Sequence, residues 1–187
     1  RALYYVSGYF GNALLLQGLS PDYEVIFADE QSHYAIKDGA AMANKPVVLF
    51  AHCDAEDLQQ KLSASLSTGQ RPLVICDGIF PSSGAISPLQ HYDKVLADFD
   101  GGILCVDDAH ASGVVGKKGQ GTLEYCGIEG ERRYASGSMS KAFGGHGGMI
   151  AGSHNLIEQL LSNTHIPYGS NAVPTPAAAA TTQAFDL

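Results

Sequence analysis

Short, unbroken apolar runs alternate with amphipathic stretches along this chain. Leu3 to Val6, Val25 to Ala28, Pro46 to Phe50, Leu73 to Cys76, Ile103 to Val106, Arg133 to Ser136 and Gly148 to Ala151 read as strands. Several are rich in Val, Ile and Leu without polar alternation, the pattern of strands covered on both faces. Between them, Gly11 to Gly18, Ser32 to Ala43, Ala55 to Leu66, Pro88 to Ala97 and Asn155 to Leu161 carry helical spacing. A further helix starts near Pro176, contains the alanine run Ala177 to Ala180, and continues to Asp186 and Leu187. Asp54 is placed to N-cap the third helix and Pro88 to occupy the first turn of the fourth. The alternation predicts one α/β domain over residues 1–187, a mostly parallel sheet sandwiched by helices. Its ligand site is expected off the carboxyl ends of the strands.

Composition narrows the function classes. The 187 residues are 45% hydrophobic and 16% charged, enough for one substantial core. A net charge of -8 with only 11 Lys and Arg argues against a nucleic-acid surface, which needs clustered cations. No apolar stretch approaches the roughly 18–20 residues of a membrane span, and no signal-peptide pattern opens the chain. The cysteines Cys53, Cys76, Cys105 and Cys126 show no CxxC spacing and read as reduced core residues of a cytoplasmic protein. The chain begins without Met, directly in a strand, and stops inside a helix, so it is expected to be a piece of a longer protein.

Candidate chemistry clusters after the strands, at Ser7 to Tyr9, Asp29 to His33, Asp77 to Ser83, Asp107 to His110 and Ser138 to Lys141. An aspartate at a buried strand end can keep a pyridine nitrogen protonated, and a lysine at a neighbouring strand end can form a Schiff base with an aldehyde. Asp107 and Lys141 therefore suggest a pyridoxal 5'-phosphate (PLP) site. Three other readings fail. The segment Val106 to His110 looks like the acidic box of a nucleotide hydrolase, but no GxxxxGK[ST] loop accompanies it. Ser138 to Lys141 matches the SxxK of penicillin-binding enzymes, but KTG and SDN are missing. Asp107, Asp108, His110 and His52 lack tight ligand spacing, so no metal is expected.

The segments SGYFGN (Ser7 to Asn12), ADEQSHYAIKDG (Ala28 to Gly39), FAHCD (Phe50 to Asp54), DGIFPSSGAISPL (Asp77 to Leu89), VDDAHASGVVGKKGQG (Val106 to Gly121), GSMSKAFGGHGG (Gly137 to Gly148) and SNAVPTP (Ser170 to Pro176) occur in an order that resembles the α-oxoamine synthase family. These are fold-type-I PLP enzymes that condense an amino acid with an acyl-CoA. The resemblance implies the PLP-dependent transferase fold type I large domain, with a leading segment and a carboxyl-terminal small domain outside these residues. It implies that Asp107 pairs with the pyridinium nitrogen and that His110 sits beside the phenolic oxygen. Lys141 would form the Schiff base and move the proton at Cα, while His33 stacks on the ring. Ser138, Ser7, Gly8 and Tyr9 would bind the phosphate, helped by helix N-terminal amides, and Ser170 and Asn171 would reach the phosphate of a partner subunit in a homodimer. The glycine cluster Gly144 to Gly148 would pass close to cofactor or partner. An aminotransferase of the same fold, or a non-catalytic scaffold subunit, is the competing function; retention of both Asp107 and Lys141 counts against the scaffold. Pro81 stands where many family members have a serine that holds the phenolic oxygen, so that contact is missing or comes from Ser82 or Ser83. Ser83 also replaces an acidic residue, and Cys53 replaces an asparagine.

Overall fold

The computed structural model describes residues 1–185. Seven strands form one sheet: β1 (Ala2–Tyr5), β2 (Val25–Asp29), β3 (Val47–Phe50), β4 (Pro72–Asp77), β5 (Ile103–Asp107), β6 (Arg133–Ser138) and β7 (Gly148–Ala151), in the order β1-β7-β6-β5-β4-β2-β3. Strands β2 to β6 are mutually parallel, and β7 runs antiparallel to both neighbours. Six strands therefore end on one side. The helices are α1 (Gly11–Gly18), α2 (Tyr34–Ala43), α3 (Ala55–Ser65), α4 (Leu89–Leu96), α5 (Thr122–Tyr125), α6 (His154–Asn163), α7 (Ile166–Gly169) and α8 (Thr175–Ala184). The expected continuation of α8 through Asp186 and Leu187 lies outside the described residues.

Strand alternation sorts the interior into two cores. On one face Ile26, Ala28, Leu73, Ile75, Ile103 and Cys105 pack against Leu14, Leu15 and Leu16 of α1, Ile36 of α2 and Leu160 of α6. On the other, Phe27, Val74, Cys76, Leu104 and Val106 meet Leu58 and Leu62 of α3 and Leu89, Tyr92 and Leu96 of α4. Every residue of β2, β4 and β5 is buried, as their apolar runs predict. The sheet edges differ: β1 and β3 keep exposed positions because each has a neighbour on one side only.

Element boundaries move where a side chain intervenes. Helix α2 begins at Tyr34 rather than Ser32 because the His33 ring caps it, Nδ1 accepting from the Ala35 amide at 3.1 Å. Asp54 caps α3 as expected, accepting from the amides of Glu56 and Asp57. Pro88 sits just ahead of α4 instead of inside its first turn. The short helices α5 and α7 carry too few residues for a periodicity to register. Cys76 and Cys105 are core residues, but Cys53 and Cys126 are only half-buried, which corrects their assignment to the core. Among the described residues, no helix is long and apolar enough to cross a membrane.

Candidate active site

The two cores locate the crevice. Strand β2 leads into α2 on the first face, whereas its neighbour β4 leads into α4 on the second. Connections that diverge from adjacent parallel strands leave an opening at the strand ends. A cavity of about 240 Å³ occupies it, lined by Ser7, Gly8, Tyr9, His33, Asp77, Asp107, His110, Ser138 and Lys141, with Ala35, Ala109 and Ser140. Eight of the ten cofactor residues anticipated from the motifs thus come together. Ser170 and Asn171 do not; they lie in the loop between α7 and α8, outside this cavity.

Asp107 ends β5 in register with Asp77 on β4 and Ser136 on β6. Its carboxylate is 5% exposed and is held from two sides. Oδ2 accepts from Asn12 Nδ2 at 2.6 Å, and Oδ1 from the Ala109 amide at 3.0 Å. The second bond closes a turn that brings His110, three residues on, over the same cavity. There the Lys141 Nζ lies 2.7 Å from His110 Nε2. Much of Lys141 is exposed, yet its amine is less basic than usual because it is partly desolvated, against the opposing charges of Asp107 and Asp77. The His110 imidazole is lowered too, by burial first and by the Lys141 charge second. An amine and an imidazole that are both less basic than usual, in hydrogen-bond contact, suit carbonyl chemistry and the movement of one proton between them.

Asp77 opened one of the quoted motifs but was assigned no role there. It is buried, accepts from the His33 amide at 2.8 Å and so fixes His33 across the crevice. Burial pushes its carboxyl up to about 7, with Asp107 and Asp29 adding to the rise and the His33 amide opposing it. Asn12, also inside a motif, orients Asp107 and is itself held by Ser136 Oγ at 3.3 Å. The signal for Asp77 is strand register, which pairs it with Asp107; Asn12 reaches Asp107 from α1, a contact with no local signal. The neighbouring Asp108 faces away from the cavity and takes Thr122 Oγ1 at 2.6 Å and the Thr122 amide at 2.9 Å. Burial raises it to about 6 against those bonds.

The opposite wall is a cradle. Ser7 caps the 3-10 turn Gly8–Phe10, its hydroxyl accepting from the Tyr9 amide. A Cβ on Gly8 would meet Ser138 Cβ and Oγ at 2.8 Å, so only glycine lets this turn lie against β6. Ser138 Oγ pairs with Ser140 Oγ at 3.0 Å. An amide-rich turn, hydroxyls, the Lys141 amine and the Asp107 carboxylate could together hold a cofactor carrying a phosphate, a carbonyl and a cationic ring nitrogen.

Three details sharpen the motif reading. Neither Ser82 nor Ser83 lines the cavity; Ser83 Oγ instead accepts from the Ala85 amide at 3.2 Å. Within the glycine cluster, a Cβ at Gly145 would strike Thr181 of α8 and one at Gly147 the Tyr5 carbonyl, so these two also serve this chain's own packing. The turn His52 to Asp54 lies outside the cavity and folds back on Asp29. Burial, then the Asp29 charge, pushes the Cys53 thiol there up to about 11.

A family model for aminotransferase class I and II matches residues 1–186. The chain belongs to that family. It is 35% identical over 186 residues to 8-amino-7-oxononanoate synthase 2 of Bacillus subtilis, with all of this chain matching 47% of that one. To the 8-amino-7-oxononanoate synthase of Geotalea daltonii it is 32% identical over 186 residues, again 47% of that protein. Serine palmitoyltransferase of S. paucimobilis, solved with a bound PLP–myriocin aldimine, superposes with a TM-score of 0.91 at 28% identity, over all of this chain and 46% of that one. An 8-amino-7-oxononanoate synthase of Francisella tularensis superposes at 0.81 with 26% identity, over all of this chain and 54% of that one. These are members of the α-oxoamine synthase group that the motifs resemble, and the architecture is the fold-type-I transferase large domain. The chain spans about half the length of the curated relatives it matches.

Proposed function

We propose that this chain is the PLP-binding half of an enzyme that condenses an amino acid with an acyl-CoA thioester. The observation that carries the reading is the Lys141 amine, 2.7 Å from His110 and in one cavity with Asp107. PLP fits the residues present: the turn Ser7 to Tyr9 and the Ser138 hydroxyl line the cavity with donors for a phosphate, and Asp107 offers a buried acceptor for the ring nitrogen. When bound, PLP supplies an electron sink for the pair left on the substrate Cα once a proton or carboxylate departs.

The chain's own residues do the rest. Lys141, with its depressed basicity, is the attachment point and afterwards the group that takes and returns the Cα proton. His110 holds that amine in place and shares its proton. Asn12 and the Ala109 amide aim the Asp107 carboxylate. Asp77 fixes His33 as a wall of the cavity, where its ring can define the plane in which the cofactor lies. In the proposed condensation the substrate Cα would form its bond to the acyl carbon as the carbon–sulfur bond to CoA breaks.

The finer elements of the reading are a homodimer, in which Ser170 and Asn171 reach the partner's phosphate, and a cytoplasmic location. The loop position of Ser170 and Asn171 outside their own cavity supports the first, and four free cysteines support the second. To test the function, the full-length protein is loaded with PLP, reduced with borohydride and mapped by mass spectrometry. Attachment at Lys141, together with CoA release from glycine, alanine or serine plus an acyl-CoA, is expected. Amino transfer to a keto acid without CoA release would instead make it an aminotransferase. Absence of any attachment would make it a scaffold subunit.

A further inference from the structure

The turn after β3 gathers a second set of chemically active side chains at the sheet edge, away from the cavity. Asp29, His52 and Cys53 each place one donor atom within 4.8 Å of the others. They are not equivalent. The Asp29 carboxylate is fully buried, and its oxygens are already engaged. Oδ1 accepts from the Gln31 amide at 2.9 Å and Oδ2 from the Cys53 amide at 2.8 Å. His52 Nδ1 lies 3.1 Å from Oδ1. Because both Asp29 oxygens already act as acceptors for backbone amides, the matching tautomer has Nδ1 donating to Asp29 and Nε2 presenting its lone pair. The Cys53 Sγ lies 3.7 Å from Nε2.

We propose that His52 Nε2 and Cys53 Sγ form a binding site for a divalent cation of the zinc class, with Asp29 holding the imidazole from behind. A tetrahedral zinc ion with Zn–N of about 2.05 Å and Zn–S of about 2.3 Å separates its nitrogen and sulfur ligands by about 3.6 Å. The 3.7 Å observed is that spacing. A carboxylate on the far nitrogen of a ligating histidine fixes tautomer and ring orientation, which is what Asp29 does here. Imidazole plus thiolate selects zinc-like ions over calcium or magnesium, which want oxygen.

The turn is rigid enough to keep these donors in place. Cys53 sits at φ +56°, a left-handed conformation that turns its side chain back over the histidine. The Asp54 amide donates to the Ala51 carbonyl at 3.1 Å, and the Ala51 amide to Asp57 Oδ2 at 2.7 Å. The His52 and Phe80 rings pack in a T-shaped pair, 4.4 Å between centroids. The imidazole remains 20% exposed, which leaves a path for an ion and solvent to fill the remaining positions. The sequence hides the set because Asp29 is separated from His52 by α2 and β3.

The test uses the full chain without added PLP and cobalt(II) as the probe. A thiolate-to-cobalt charge-transfer band, displaced by zinc, is expected in the parent and in Cys126→Ser, which alters the other half-buried thiol. It should vanish in Cys53→Asn, a change that tolerates the left-handed backbone. Asp29→Asn should weaken zinc binding roughly 10- to 100-fold. A second readout needs no variant: zinc should protect Cys53, and not Cys126, from alkylation mapped by mass spectrometry. No band in the parent, a band that survives Cys53→Asn, or equal alkylation with and without zinc would each overturn the proposal.

Discussion

Two strand ends in this molecule set a buried carboxylate near an imidazole, and what folds over each decides its chemistry. At the end of β2, Asp29 is capped by the returning turn from the edge strand β3, and the His52 ring closes directly on the carboxylate. No cavity remains. At the end of β5, in the middle of the sheet, the carboxylate of Asp107 is held from the side by Asn12 and from below by the Ala109 amide. Its imidazole, His110, turns to a lysine instead, and the diverging connections of β2 and β4 leave the space above open. The same residue types thus make a cofactor pocket where the chain parts and a compact side-chain cluster where it returns. Strand order, rather than residue identity, makes the difference.

That contrast can be broken first at Lys141. Lys141→Ala should abolish all borohydride-stable attachment of PLP, whereas Cys53→Asn should leave it intact; equal loss in both would mean that the two regions are not separate. Asp77→Asn sharpens the electrostatic side. A carboxyl raised to about 7 in the fold against about 3.9 unfolded keeps its proton longer in the native state, so stability falls as pH climbs from about 4 through about 7. Removing that group should raise stability at pH 8 by up to roughly 4 kcal/mol and change little at pH 4. Urea melts at both pH values decide it, and a gain at pH 4 as large as at pH 8 would contradict the assignment. Gly8→Ala probes the cradle: the new Cβ, 2.8 Å from Ser138, should cost about 1–3 kcal/mol and weaken PLP binding measurably by titration. Smallest is the edge turn, where Cys53→Asn should stabilise by up to about 1 kcal/mol, because asparagine accepts the left-handed backbone more readily than cysteine. A loss of stability on thermal melting would show that the thiol contributes packing that the backbone argument leaves out.

Much of this was legible in advance, for identifiable reasons. The runs Val25 to Ala28, Leu73 to Cys76 and Ile103 to Val106 announce buried parallel strands because both faces must be apolar there. Asp54 announces a helix start because its carboxylate can satisfy free amides within its own turn. Less visible were α5 and α7, each a single turn with no period to read. Within this chain Gly145 and Gly147 pack against α8 and β1, neighbours that local sequence does not name because close approach signals a need for space without identifying what fills it.

The sequence by itself determined the element types, the parallel layout and the residues proposed to carry PLP-type chemistry, since these depend on local periodicity and on motifs a few residues long. Only the tertiary structure decided which of those residues share a cavity, that Asp77 stands beside Asp107 and that Asp29 reaches across to His52 and Cys53. Such pairings follow from strand order and register, which are fixed by contacts between residues tens of positions apart, and local spacing carries no record of them.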